Sequence, residues 1–304
     1  MKRMYILLTI LVATALFANE PITPLPTSIP LDAKKVELGH ALFFDTQLSK
    51  DSTISCASCH ILAQGGDDNL KVSFGINGQT GTRNAPTVYN AVFNFRQFWD
   101  GRVKTLQEQA SGPIENPVEM DYNFKDLVAR LNKTSYKKKF AAIYKEGITK
   151  KSVTDAIAEY EKSLITPNAA FDRYLRGDKT ALTKEEKEGY ALFKLKGCIA
   201  CHSGINVGGN MYNKFGIFDD AKSKDLGRYD VTHRERDKYY FKVPSLRNVA
   251  RTAPYFHDGR TYSLKAAVLV MAEYQLGRKI SDAEVNKIVA FLKTLNGQLP
   301  KNIE

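Results

Sequence analysis

Two copies of one cysteine-histidine motif are the residues of this chain best suited to chemistry. Both copies have the spacing C-x-x-C-H, and their members are Cys56, Cys59, His60, Cys198, Cys201 and His202. The two motifs use all four cysteines of the chain. At this spacing both thiols can form thioethers to the vinyl groups of one haem, while the adjacent imidazole binds the iron. The sequence therefore predicts two covalently bound haem c groups.

Two other chemistries also place cysteines at this spacing. A redox-active dithiol and half of a zinc site both use a C-x-x-C pair. Neither explains why a histidine directly follows the second cysteine in both copies. Two haem attachment sites therefore remain the favoured interpretation.

The elements that must position these motifs recur in the same order in both halves of the chain. Gly-x-Ala-Leu-Phe precedes each motif, an Arg-Asn pair and then Asp-Gly-Arg follow it, and an amphipathic segment ends each half. In the two halves these patterns lie at 39–43 and 189–193, 83–84 and 247–248, 100–102 and 258–260, and 152–165 and 281–295. We therefore predict a mainly α fold, in which two tandem cytochrome c-like haem domains are related by internal duplication.

The amino terminus predicts export of the protein. Lys2 and Arg3 precede an apolar run that ends at Ala18 and is too short to span a bilayer comfortably. We interpret residues 1–18 as a cleaved secretory signal, the alternative being an uncleaved membrane anchor. The first haem domain then covers 19–166 and the second covers 167–304, with no stable membrane insertion. Export together with covalent haem attachment indicates the periplasm.

The charge of the chain is distributed rather than clustered. The formal net charge is +11, and the lysines and arginines are spread along the whole length. A basic protein can bind nucleic acid, but the absence of a basic cluster and the predicted export argue against that class. Attraction of an acidic protein partner is the better explanation.

The sixth ligand of each haem iron determines what that haem can do. A second strong protein ligand favours electron transfer, whereas an open position permits a reaction at the iron. In the second half Met271 lies in an apolar stretch with helical spacing, and Met211 in a glycine-rich loop is a rival ligand. Without further context, core packing is the preferred explanation of a methionine in such a stretch. The equivalent position of the first half falls near Pro113, which cannot bind iron. The two halves therefore differ in their predicted coordination.

Two polar residues near this point of the first half could act on a bound peroxide. Glu119 could accept a proton from hydrogen peroxide and return it to the leaving oxygen, and Gln109 could orient the peroxide. Spacing alone favours a surface position for both residues.

Several ordered segments resemble the bacterial di-haem cytochrome c peroxidases along nearly the whole mature length. The matching segments are 42–49 (LFFDTQLS), 97–102 (QFWDGR), 117–120 (PVEM), 204–210 (GINVGGN) and 252–257 (TAPYFH). The family fold has two haem domains. Its members reduce hydrogen peroxide with electrons from a small soluble cytochrome c or cupredoxin, and they commonly form homodimers.

The resemblance implies a role for individual residues. His60 would bind the peroxidatic, low-potential haem, with Glu119 as acid-base group and Gln109 and Phe98 beside it. The remaining implied roles are the axial pair of the electron-transferring, high-potential haem for His202 and Met271, a position between the haems for Trp99, and a calcium site for Asn84, Thr252 and Pro254. Oxygen ligands of this kind suit calcium.

One position departs from the family pattern. In many members the loop after the first motif carries a histidine that blocks the peroxidatic iron until the other haem is reduced. Ile76 stands in that place, and no histidine lies between His60 and His202. The sequence therefore predicts an active site that is open without prior reduction.

Three alternative functions remain at this point. A relative that oxidises a protein substrate would share most motifs, but that group has tyrosine where this chain has Met271. A di-haem electron carrier without peroxidase activity is a second alternative. A peroxide sensor is a third, although the sequence has no appended signalling domain.

Overall fold

The computed structural model describes residues 20–219 and 223–300. The predicted signal segment, 1–18, therefore lies outside the described residues. The described part is mainly helical, as predicted, with one two-stranded antiparallel sheet. In chain order its helices and strands are α1 (Ala33–Phe43), α2 (Cys56–Cys59), α3 (Leu106–Glu115), α4 (Phe124–Leu131), α5 (Tyr136–Ala141), α6 (Lys150–Ser163), α7 (Ala170–Leu175), α8 (Lys184–Leu195), β1 (Tyr212–Lys214), α9 (Tyr229–Thr232), β2 (Tyr240–Lys242), α10 (Leu264–Val270) and α11 (Asp282–Lys293).

Each half is built around the crossing of its first and last long helix. In the first half α1 packs against α6, and in the second half α8 packs against α11. The glycine of each Gly-x-Ala-Leu-Phe pattern lies at the crossing: a Cβ on Gly39 would clash with the carbonyl oxygen of Ala156, and one on Gly189 with that of Lys287. The repeat seen in the sequence therefore marks the closest approach of the two helices.

Capping side chains define where these four helices begin. Asp32 accepts hydrogen bonds from two backbone amides at the start of α1. Thr149, Thr183 and Ser281 form capping boxes at the starts of α6, α8 and α11. Each cap satisfies backbone amides that have no partner within the helix.

The loops between motif and closing helix are also duplicated, with one correction to the sequence analysis. The structural counterpart of Asn248 is Asn90, not Asn84: Asn90 and Asn248 both have a left-handed backbone, and both side chains donate to Thr166 Oγ1, at 2.8 and 2.9 Å. The Arg-Asn match at 83–84 was a coincidence of residue types. The residue types alone do not show which asparagine has the left-handed backbone, and that conformation identifies the structural equivalent of Asn248. The Asp-Gly-Arg match holds, because Gly101 and Gly259 share a left-handed backbone within loops that equivalent bridges close.

The segment after the predicted signal crosses to the second half. Ile22 is part of the second-half core, and the amide of Leu25 donates to Asp172. Arg247 pairs with the same carboxylate at 2.6 Å and donates to the carbonyl of Thr23. The predicted boundary at 166/167 remains a prediction, but the beginning of the first segment packs with the second.

Polar contacts join the two halves near the Asp-Gly-Arg turn of the first. Arg83 forms two hydrogen bonds to Asp225, at 2.6 and 2.7 Å, and also pairs with Asp100. Arg228 donates to the carbonyl of Asp100, and the hydroxyl of Tyr212 donates to that of Gly101. This contact brings β1 and β2 of the second half beside the Trp99 turn of the first.

No helix among the described residues is long and apolar enough to cross a membrane.

Candidate functional site

The first C-x-x-C-H motif lies on one helical turn. Cys56 and Cys59 are the first and last residues of α2, and His60 follows as its carboxyl-terminal cap. Nδ1 of His60 lies 3.0 Å from the carbonyl oxygen of Gly66. This contact fixes Nδ1 as the protonated nitrogen, so Nε2 keeps its lone pair for a metal. Both thiols and one free imidazole nitrogen therefore suit covalent haem.

The side chains of this motif are largely shielded from solvent. Burial raises the pKa of the Cys59 thiol to about 11, and burial likewise raises the pKa of Cys56. Burial lowers the pKa of His60, against the opposing effect of the Gly66 carbonyl. The thiols are thus protonated and the imidazole neutral near pH 7. A neutral imidazole is the form that binds iron.

Glu119 lies within electrostatic reach of both thiols of the first motif. Burial raises the pKa of its carboxyl group, while a hydrogen bond from Asn116 and the charge of Arg102 act in the opposite direction. Asn116 Nδ2 donates to Oε1 at 2.7 Å. One carboxylate oxygen is therefore held, and Oε2 makes no hydrogen bond to the described residues.

Phe98 and Arg102 form the wall next to Glu119. Arg102 lies over the ring of Phe98, 3.4 Å from its centroid, a cation–π arrangement. Phe98 also packs against Gly112 of α3, where a Cβ would come within 3.0 Å of the ring. Gln109 lies half-buried on the same helix. Arg102 thus interacts with both Phe98 and Glu119, and Gln109 lies on the helix against which Phe98 packs.

The loop that carries Ile76 packs directly on the Glu119 turn. The amide of Ile76 donates to the carbonyl of Glu119 at 2.8 Å, and Ile76 is buried. Gly75 fits there because any Cβ would collide with the carbonyl of Val118. The residue at position 76 is thus held next to the proposed acid-base residue, so its identity matters for access to the site.

The second motif lines a large, mainly apolar cavity. Cys198, Cys201, His202 and Met271 all contribute to its wall. Burial lowers the pKa of His202 to about 4, so the ring is neutral near pH 7. Met211 is exposed and does not line the cavity. A neutral imidazole, two thiols and a thioether around an apolar space fit a haem with two axial ligands.

Met271 stands at a change of helix type. Helix α10 ends at Val270, and Met271–Gln275 forms one π-helical turn. Such turns are rare and frequently occur at functional sites. Met271 and Pro113 occupy equivalent positions, both seven residues after the first residue of α10 or α3. The first half therefore has a proline where the second has a thioether.

The three predicted calcium ligands and Trp99 line the same cavity as the second motif. Asn84, Thr252 and Pro254 all contribute to this wall. Asn84 Nδ2 donates to Leu70 at 2.8 Å, which leaves Oδ1 free of hydrogen bonds to the described residues. The indole of Trp99 donates to the Asn84 carbonyl at 2.9 Å. All three residues offer neutral amide or carbonyl oxygens, which are ligands that calcium accepts.

Within the described residues, no three His, Cys, Asp or Glu side chains converge on one point. A calcium ion here would therefore depend on neutral oxygens.

Two helix-crossing units with one C-x-x-C-H motif each define a tandem c-type cytochrome. Residues 33–180 match the family model of di-haem cytochrome c peroxidases, and residues 186–296 match that of cytochrome c. The chain belongs to the di-haem cytochrome c peroxidase family, a family of peroxidase oxidoreductases that carry two haem c groups.

Individual relatives agree with this assignment. The chain is 48% identical over 294 residues to the cytochrome c551 peroxidase of Nitrosomonas europaea, covering 95% of this chain and 87% of that protein. It is 50% identical over 286 residues to the cytochrome c peroxidase Ccp of Escherichia coli, covering 92% of this chain but 62% of that longer protein. Among solved structures, a MauG-like protein associated with microbial copper homeostasis superposes with a TM-score of 0.78 at 26% identity, covering 93% of this chain and 95% of that one.

The sequence analysis missed three residues that the structure places at these sites. Asn116 holds Glu119, Arg102 lies over Phe98 and acts electrostatically on Glu119, and Lys242 is buried in the wall of the second cavity. Asn116 could have been found as a turn residue, because asparagine often accepts a hydrogen bond from the backbone two residues on, as Asn116 does from the amide of Val118 at 3.2 Å. Nothing in the sequence distinguishes Lys242 from the many exposed lysines.

Proposed function

We propose that the protein reduces hydrogen peroxide to water at the first haem site, with electrons that enter at the second. The observation that carries this proposal is the difference between the sites. The first offers one imidazole and, near its two thiols, a partly buried carboxylate with a raised pKa. The second offers an imidazole and a thioether in one cavity. An open iron permits chemistry, and a closed one favours electron transfer.

Glu119 performs the proton transfer in this proposal. Its free Oε2 accepts a proton from peroxide and returns it to the oxygen that leaves as water. The hydrogen bond from Asn116 keeps the carboxylate in one orientation, so little reorganisation is needed when the proton moves. The haem supplies the redox chemistry of oxygen–oxygen cleavage when it is bound. Arg102 and Phe98 restrict the space beside Glu119, and Gln109 orients the peroxide.

The second site receives electrons from a small soluble cytochrome c or cupredoxin. A thioether ligand raises the potential of a haem, so the Met271 site accepts electrons readily. Trp99 lies in the wall between the two halves and is hydrogen-bonded to Asn84. This position supports an electron path past the indole without requiring that the indole itself be oxidised. The calcium ion of Asn84, Thr252 and Pro254 would stabilise the same junction, and the protein would act as a periplasmic homodimer.

A steady-state assay tests this function. The purified holoprotein is mixed with a reduced small cytochrome c, and oxidation of that cytochrome is followed after addition of hydrogen peroxide. We expect peroxide-dependent oxidation with two donor electrons consumed per peroxide. A protein that is itself reoxidised but does not turn over would instead be an electron carrier.

A further inference from the structure

The buried lysine of the second cavity has no counterion among the described residues. Lys242 is only 6% exposed and lines the cavity that contains Cys201, His202 and Met271. No hydrogen bond or ion pair of its ammonium group occurs within the part of the chain that the structure describes. Burial, with no nearby carboxylate to oppose it, lowers the pKa of Lys242 to about 8. A buried unpaired ammonium is costly, so an anion within the cavity is expected.

The backbone holds Lys242 rigidly at this place. It is the last residue of β2, where it pairs with Tyr212 of β1. Its amide donates to the carbonyl of Trp99 at 2.7 Å, across the junction of the two halves. The lysine therefore belongs to the wall of the cavity rather than to a mobile surface loop.

The other cationic side chains that line the cavity are either paired with a carboxylate or exposed to solvent. Lys196 pairs with Glu284 at 2.5 Å, whereas Lys214 and Arg278 are exposed. Among the described lining residues, Lys242 is thus the buried cation without an ion-pair partner. Haem c brings two carboxylates, its propionates, into this cavity, and they need a compensating charge there.

We infer that Lys242 forms an ion pair with a propionate of the second haem and is a positioning residue that raises the potential of that haem. The inference rests on the proposed role of this haem as the high-potential centre. A fixed positive charge near the haem favours the reduced iron, which carries one positive charge less than the oxidised iron. Lys242 would also hold the propionate edge beside the backbone of Trp99.

Replacement of Lys242 by methionine tests the inference in the intact holoprotein. Lys242→Met keeps the length of the side chain and removes its charge. The matched control is Lys238→Met, which removes the same charge from a half-buried residue just before β2 that pairs with Glu235. Spectroelectrochemical titration at neutral pH measures the midpoints of both haems.

We expect Lys242→Met to lower the midpoint of the second haem by about 59 mV, a tenfold change in its reduction equilibrium, with the first haem unchanged. Redox-induced infrared difference spectra should show shifted carboxylate bands of the propionates in this variant and not in Lys238→Met. Equal midpoints and equal carboxylate bands in the two variants would overturn the inference.

A charge-conserving variant covers the case in which Lys242→Met does not fold. Lys242→Arg should keep the second midpoint and the carboxylate bands close to wild type. If Lys242→Arg retains haem but the midpoint of its second haem falls by an amount that corresponds to a tenfold change in the reduction equilibrium, the ion pair is refuted. Wild-type protein without peroxide turnover would refute the proposed function alone, because these midpoints do not depend on catalysis.

Discussion

At the scale of single residues, the first site depends on one carboxylate and on the side chains that hold it. Glu119 has a raised pKa because it is partly buried, and Asn116 fixes one of its oxygens. A general base works best when its pKa lies near the working pH. The raised pKa of Glu119 and its fixed orientation support a role in acid-base catalysis more directly than the spacing of residues in the sequence did.

Removal of this carboxylate should slow catalysis without disturbing the haems. Glu119→Gln keeps the shape but cannot accept a proton, so turnover with peroxide should fall by about 100- to 10,000-fold. The acidic limb of the pH–rate profile should disappear with it. Glu115→Gln is the control, because Glu115 is an exposed carboxylate four residues earlier, at the end of α3, where it pairs with Lys150. Wild-type rates in Glu119→Gln would show that another group moves the proton.

Ile76 should leave the first iron open in the oxidised protein. An isoleucine has no lone pair for iron, and its backbone is held against that of Glu119. Electron paramagnetic resonance of the fully oxidised protein should therefore show one high-spin haem, and assays begun from oxidised and half-reduced enzyme should differ little. Two low-spin haems would mean that another side chain, such as His40 or Met120, has reached the iron.

The reverse substitution sharpens this test. Ile76→His places a potential ligand at the same point of the loop. We expect the high-spin signal to decrease and a lag to appear when the assay starts from oxidised enzyme. Ile76→Val, which adds no ligand, should retain the high-spin signal and the short lag.

At the scale of elements, the helix crossings position both motifs. Each crossing depends on one glycine that lets two helix backbones touch, α1 with α6 at Gly39 and α8 with α11 at Gly189. Because each C-x-x-C-H motif follows the first helix of its crossing, a shift there would move the motif relative to the rest of its half. The π-helical turn at Met271 has a similar positioning role in the second half.

Alanine at either crossing glycine should destabilise the protein. Gly39→Ala and Gly189→Ala force the helices apart, and overpacking of this kind costs about 1–3 kcal/mol. Thermal unfolding followed by circular dichroism should show a lowered midpoint for both variants. Gly81→Ala is the control, since no atom lies within 4 Å of a Cβ at that position. The same unfolding temperature in all three variants would contradict the close-contact explanation.

At the scale of the whole molecule, duplication followed by divergence produces two unequal haem sites that share one junction. The contacts of Arg83 with Asp225 and of Lys242 with Trp99 cross this junction. Met271 in one half is replaced by Pro113 in the other, at the equivalent helix position. In the proposed function this asymmetry would give electrons a direction, from the site with a thioether to the site without one.

The asymmetry predicts two different midpoints in a redox titration. The haem of His202 should have the higher potential, because only that site gains a thioether. Met271→His should lower the second midpoint and slow oxidation of the donor, while the first haem stays bound with its midpoint unchanged. Met211→Leu is the control for a methionine outside the cavity. Equal midpoints in the wild type would remove the basis for an electron entry site.

The sequence by itself determined the haem attachment motifs, the duplication, the mainly helical class and the family. These properties depend on short, ordered spacings of chemically distinctive residues, which remain legible without knowledge of the fold. The presence of Ile76 and the absence of a histidine between His60 and His202 are likewise visible in the sequence without the structure.

Only the tertiary structure decided which residues meet. It replaced Asn84 by Asn90 as the counterpart of Asn248, because backbone conformation rather than residue pairs defines equivalence. It brought Arg102 to Phe98, left Lys242 buried without a counterion among the residues that the structure describes, and joined Ile22 to the second half. Contacts between residues far apart in the chain depend on packing, and burial gives a common residue such as lysine a role that its spacing does not reveal.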